Sequence, residues 1–125
     1  MNPKPSSDNA DCSPMKQLPE GALVEVAAYF QVLAEPTRLQ ILNILRSGER
    51  NVGELAQLCG FTAANVSRHL ALMTQQGLVE RESRGTSAYY RIADPQLAEL
   101  ISVLYKMYCG PTPVTISQAV ALTEA

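Results

Sequence analysis

Two helix-spaced apolar runs, joined by one glycine-containing turn, constrain this chain most. In "NVGELAQLCG", Val52, Leu55 and Leu58 recur three residues apart, so the spacing predicts a short helix with all three side chains inward. Asn51 is placed to cap that helix and Gly60 to close it. Thr62 then stands where a second helix needs its N-cap, and Ala63, Val66, Leu70 and Met73 follow at i, i+3, i+7 and i+10 until Gly77. So short a link forces the two helices to fold sharply against each other, which is the helix-turn-helix layout.

The outward side of the second helix carries Thr62, Ala63, Asn65, Ser67, Arg68 and His69. A face that needed only solubility would carry Glu and Lys. Short polar side chains at a helix N-terminus instead let the backbone approach base edges. Asn can bond adenine, Ser or Thr a base or a phosphate, and Arg a guanine or a phosphate. The first N–H groups of the helix also favour phosphate. His69 admits two further uses, a hydrogen bond within the fold or a metal.

After Gly77 the apolar period changes from 3.6 to 2. "LVERE" and "SAYYRI" alternate around "SRGT", which predicts a β-hairpin with Gly85 in its turn and Arg84 at its tip. Tyr89 and Tyr90 then face opposite sides. Helix, turn, helix and hairpin is the order of a winged helix-turn-helix, whose second helix enters the major groove. The chain carries a net charge of −2, yet residues 60–92 hold four Arg (68, 81, 84, 91) against two Glu (80, 82). Local charge decides contact with duplex DNA.

The flanks read as helices too. Residues 20–34 carry Leu23, Val26, Ala27, Phe30, Val32 and Leu33. "EPTRLQILNIL" begins a helix at Pro36, whose missing N–H has no partner to lose there. Leu39, Ile41, Leu42, Ile44 and Leu45 make that helix apolar nearly all round, hence central. From Pro95 the side chains of Leu97, Leu100, Ile101, Leu104, Tyr105 and Tyr108 form another wide stripe. A small domain has little use for so much apolar helix surface at its ends, and a second subunit would bury it. The fold class expected is mainly α with a small β-hairpin, a winged helix-turn-helix dimerising through terminal helices. Residues 1–18 read as a disordered N-terminal arm, 19–109 as the DNA-binding and dimerisation domain, and 110–125 as a C-terminal tail.

Several classes drop out. No window approaches the roughly 18–20 apolar residues of a membrane span, and Lys4 has no apolar run behind it that would make a secretory signal. Three scattered cysteines, Cys12, Cys59 and Cys109, suit a reducing cytoplasm better than a disulfide scaffold. No phosphate loop, cofactor fingerprint or nucleophile–base pair is present, so the sequence predicts neither an enzyme nor a cofactor.

Taken together, "LAEPTRLQIL" and "VGELAQLCGFTAANVSRHLALMTQQGLVERESRGTSAYYRI" resemble the ArsR/SmtB family of bacterial transcriptional repressors, over about residues 25–109. The resemblance implies a homodimer that sits on double-stranded operator DNA, an inverted repeat, and lets go when an inducer binds. It implies that Thr62 to His69 form the reading helix and that Arg84 lies on the wing.

The family's metal positions are altered here. Asn51 stands where many arsenic, cadmium and zinc sensors carry a cysteine. In the last helix Asp94 is kept, but Gln96, Met107 and Gly110 replace the other zinc ligands. "LISVLYKMYC" is similar to the end of the last helix in the branch that senses persulfide and other oxidised sulfur. Cys109 occupies that branch's C-terminal cysteine position, and Asn43 replaces its partner. A thiol signal would therefore join Cys109 to Cys59, to Cys12 or to a symmetry mate, or would modify one thiol alone. Two alternatives stand beside it. Cys12, Cys59 and Cys109 could together hold trivalent arsenic or antimony, or the chain could be a winged-helix module that binds protein.

Overall fold

The computed structural model describes residues 16–109. Five helices and a small sheet follow in chain order. They are α1 (Glu20–Leu33), α2 (Pro36–Leu45), β1 (Arg50–Asn51), α3 (Val52–Cys59), α4 (Ala63–Gln75), β2 (Val79–Arg84), β3 (Ser87–Ile92) and α5 (Pro95–Tyr108). The N-terminal arm up to residue 15, the tail from residue 110, and Cys12 with them lie outside the described residues.

Local chemistry sets the helix boundaries. The Glu35 carboxylate accepts from the Arg38 backbone N–H at 2.9 Å, and Pro36 opens α2 at its first position. Asn51 and Glu54 form a reciprocal capping box on α3, with bonds of 2.8 and 3.1 Å. Gly60 leaves α3 in the left-handed region at φ +73°, where a side chain would be strained. Two residues later the Thr62 hydroxyl accepts from the Asn65 N–H at 3.1 Å and starts α4.

The core lies where α2, α3, α4, α5 and the base of the hairpin meet. Ile41, Leu42, Leu55, Val66, Leu70, Met73 and Leu78 are fully buried there. Each such side chain contributes about 1.5–3 kcal/mol of burial free energy, and α2 supplies the middle of the cluster, as its nearly continuous apolar surface predicts.

One inward assignment needs correction. Leu58 is 57% exposed. The buried side of α3 runs through Val52, Leu55, Ala56 and Cys59. At 3.6 residues per turn, Leu58 falls beyond the edge of that stripe. Ala63 is exposed, as its place on the outward side of α4 predicts, one turn ahead of the point where the helix enters the core at Val66.

The hairpin pairs Val79 with Ile92 through to Arg84 with Ser87, leaving Gly85 and Thr86 as a two-residue turn. Gly85, at φ +62°, takes the first central position that such turns reserve for glycine. β1 carries no sequence signal of its own, and its two residues pair with Tyr90 and Tyr89 to give the strand order β1-β3-β2. That pairing ties the start of α3 to the wing.

Both terminal helices keep apolar surface in the open. On α1, Leu23, Val24, Val26 and Phe30 are exposed, and only Leu33 is buried. On α5, Leu97 and Ile101 are buried, while Val103, Leu104, Tyr105, Met107 and Tyr108 are exposed. Between the two helices runs an apolar groove of about 400 Å³ that includes Leu18, Val26, Tyr29, Leu97 and Leu100.

Candidate nucleic-acid interface

α4 divides sharply into two sides. Val66, His69, Leu70 and Met73 are buried, and Thr62, Ala63, Ala64, Ser67, Arg68 and Ala71 are exposed. Asn65 sits at the margin, and its Oδ1 accepts from Arg68 Nη2 at 2.8 Å. This bond across one turn holds the guanidinium along the helix surface. The outward side is narrow, uncharged apart from Arg68, and free of long side chains near the helix N-terminus. Ala64 lies in the middle of it and did not stand out in the sequence, because an alanine carries no chemistry that would mark it.

His69 does not belong to that surface. It is 6% exposed and faces inward. Its Nδ1 lies 3.4 Å from Arg38 Nη1 and 3.9 Å from the Glu35 carboxylate. Because a guanidinium only donates, Nδ1 accepts and the imidazole proton sits on Nε2. Burial holds the His69 pKa below its usual value, Glu35 opposes that shift, and Arg68 and Arg38 reinforce it. At Glu35 burial works upward, but the Arg38 N–H, the His69 imidazole when it is protonated and the Arg38 charge outweigh it and lower that pKa. Arg38 Nε also donates to the Val32 carbonyl. His69 therefore fastens the back of α4 to the junction of α1 and α2, the internal alternative among those its sequence position left open.

Arg84 ends β2 beside the turn, as expected, but its guanidinium turns back from the tip. It lies 4.7 Å from the centre of the Tyr89 ring, and donates to both carboxylate oxygens of Glu49 and to Glu82. Arg91 donates to Glu80 and Glu82. Arg81 projects elsewhere and donates to Ser83 at 2.9 Å. Among the described residues, Arg68 and Arg81 make no ion pair, whereas Arg84 and Arg91 share three glutamates.

The two described cysteines differ. Cys59 is half-buried at the end of α3, and burial pushes its thiol pKa up. Cys109 is exposed at the C-cap of α5. It lies one turn beyond Tyr105, whose phenol pKa the neighbouring Cys109 raises. Arg46 stands 5.0 Å over the Tyr105 ring and donates to Asn43 Oδ1 at 2.7 and 3.1 Å. A chain of contacts thus runs from Asn43 on α2 through Arg46 to Tyr105, whose backbone carbonyl accepts from the Cys109 N–H at 3.0 Å. Among the described residues no three His, Cys, Asp or Glu side chains gather as a metal site would need. No described helix is long and apolar enough to cross a membrane.

Comparison with known proteins bears on the same segment. Residues 35–81 match the family model described as bacterial regulatory protein, arsR family. The biofilm growth-associated repressor of Agrobacterium fabrum is 33% identical over 92 residues, covering 74% of this chain and 79% of that protein. A Mycobacterium bovis domain, described as a homodimeric winged helix-turn-helix DNA-binding domain and a possible ArsR-family regulator, superposes with a TM-score of 0.64. It is 34% identical, over 76% of this chain and 89% of that one. The antimony-specific transcriptional repressor AntR superposes with a TM-score of 0.67 at 29% identity, over 86% of this chain and 93% of that one.

Proposed function

Since this chain belongs to the ArsR family of bacterial regulatory proteins, we propose that it is a homodimeric repressor that reads an inverted-repeat operator with α4 and releases it on a thiol-based signal. The observation that carries this reading is the outward side of α4. Thr62, Ala63, Ala64, Asn65, Ser67 and Arg68 form a low, polar ridge with one carboxylate-free arginine. Such a ridge fits a groove lined by base edges and phosphates.

The dimer follows from α1 and α5, whose exposed Leu23, Phe30, Leu104 and Met107 need cover. The homodimeric Mycobacterium bovis relative supports the same assembly. Two symmetric copies of α4 would meet half-sites about one helical turn, ~34 Å, apart or a multiple of it.

Cys109 is the thiol we assign to sensing. It is exposed, it sits on a helix assigned to the dimer interface, and it lies one turn beyond Tyr105, over whose ring Arg46 at the end of α2 stands. Modifying it by persulfidation or oxidation would release DNA only by favouring a conformer that grips poorly. A second reading is favoured by the similarity to AntR, a repressor described as antimony-specific. In it, Cys109, Cys59 and Cys12 bind a trivalent metalloid.

Gel shift of the full chain on the DNA upstream of its own gene tests the first part. Binding that weakens steeply with salt is expected, and no binding at any salt would leave the protein-interaction module standing. Release by persulfide, peroxide and antimonite, compared between the wild type and Cys109→Ser, tests the second. Loss of response to the sulfur reagents is expected, a selective loss of the antimonite response favours the metalloid reading, and unchanged release by all three removes Cys109 from the mechanism.

A further inference from the structure

The hairpin contributes two of its three arginines to one side of the sheet, and there they are outnumbered. Side chains two apart on a strand share a face, so Glu80, Glu82 and Arg84 stand together on β2. On β3, Arg91 lies opposite Glu80, and Tyr89 opposite Glu82. Arg84 lies back over Tyr89 and meets Glu49, which precedes β1 and is 35 positions away in sequence. The result is a cluster of three carboxylates and two guanidinia with a net charge of −1. A surface of that sign repels phosphate, on the same segment whose own arginines outnumber its glutamates.

Resting on the DNA-binding reading above, we propose that Glu49, with Glu82, clamps the wing arginine Arg84 and competes with DNA phosphate for it. Glu49 is thereby a specificity-determining residue that holds down affinity for duplexes of arbitrary sequence. Both glutamates bond the guanidinium, at 2.9 Å for Glu49 Oε2 and 2.6 Å for Glu82 Oε2. Glu49 grips it with two parallel bonds, the geometry by which an arginine would also hold a phosphate. The same donors cannot serve both anions. Hydrogen bonding to Arg84 also lowers the Glu82 pKa, which keeps that carboxylate charged and competing. Without Glu49 the cluster is neutral and Glu82 alone holds the guanidinium back from the backbone of a duplex. Sequence-independent binding draws on such phosphate contacts. Reading by α4 does not involve Glu49, so its removal raises affinity for a duplex of any sequence without adding preference for one.

The experiment measures fluorescence-anisotropy binding of the full chain to a 30-base-pair random-sequence duplex over a range of salt. It compares wild type, E49Q, E82Q, R84Q and E49Q/R84Q, with thermal melts to check folding. Exposed ion pairs are weak, so E49Q is expected to gain about two- to fivefold in affinity at low salt. Its plot of log affinity against log salt should steepen by about one for each Arg84 engaged. E82Q should gain less, and E49Q/R84Q should bind no better than R84Q alone. Unchanged or weakened binding by a folded E49Q would overturn the clamp, as would a gain that persists in E49Q/R84Q. If E49Q does not fold, E82Q carries the same decision. Wild-type protein that binds no duplex at low salt would instead overturn the DNA reading itself.

Discussion

The reading helix and the wing draw on the same small stock of charge and deploy it in opposite ways. On α4 a single arginine, Arg68, is held only by the neutral Asn65, so its charge is available to a ligand. On the wing, Arg84 and Arg91 are bound to Glu49, Glu80 and Glu82, and most of their charge is consumed within the protein. Counting residues 60–92 as a basic segment treats the two regions alike. The side chains show instead that available charge depends on what each guanidinium already holds, and one of those partners, Glu49, lies outside the counted segment.

The comparison is sharpened first by the inward side of each region. Leu70→Ala, which hollows the core behind the reading helix, should lower stability by about 2–5 kcal/mol in a denaturant titration. Ser87→Ala on the exposed wing should change it by less than about 0.5 kcal/mol. The outward charges come next. Arg68→Gln should weaken duplex binding about tenfold or more in an anisotropy titration, whereas Arg91→Gln should weaken it less than about threefold, because Arg91 is already satisfied by glutamates. Equal losses would erase the distinction between free and consumed arginines. Thr62→Ala removes the N-cap of α4 and should lower the unfolding free energy by about 1 kcal/mol.

The smallest effect concerns pH. His69 has a folded pKa below its unfolded value, so the unfolded chain takes up the proton first as pH falls. Its contribution to stability should therefore be fully present above about pH 6.5 and decline below it. In His69→Gln, a melt series from pH 7.5 downward should lose that part of the slope, and identical slopes in the two proteins would show that His69 does not titrate as its burial requires.

The parts of this molecule legible in the sequence were those set by near neighbours. Asn51, Gly60 and Thr62 mark the turn because caps act within three residues, and Gly85 marks the hairpin because few residues accept φ +62°. The rest depends on partners distant in sequence. Leu58 has the right residue type and spacing for the core, yet only the direction from which α4 approaches α3 decides which stripe is covered. His69 looked like an outward polar residue because its inward partners, Glu35 and Arg38, lie more than thirty positions away. β1 is two residues long and has no periodicity to detect. Arg84 ends β2 where the hairpin pattern predicts it, while its capture by Glu49 depends on a residue 35 positions away.

Hydroxyl-radical footprinting of the full chain on the DNA upstream of its own gene tests most directly whether a paired set of α4 helices reads a duplex. Two patches of protection on one face of the DNA, about 10–10.5 base pairs apart or a multiple of that spacing, are the predicted result, fading in Arg68→Gln. A single patch, or two patches whose spacing puts them on opposite faces of the duplex, would contradict it.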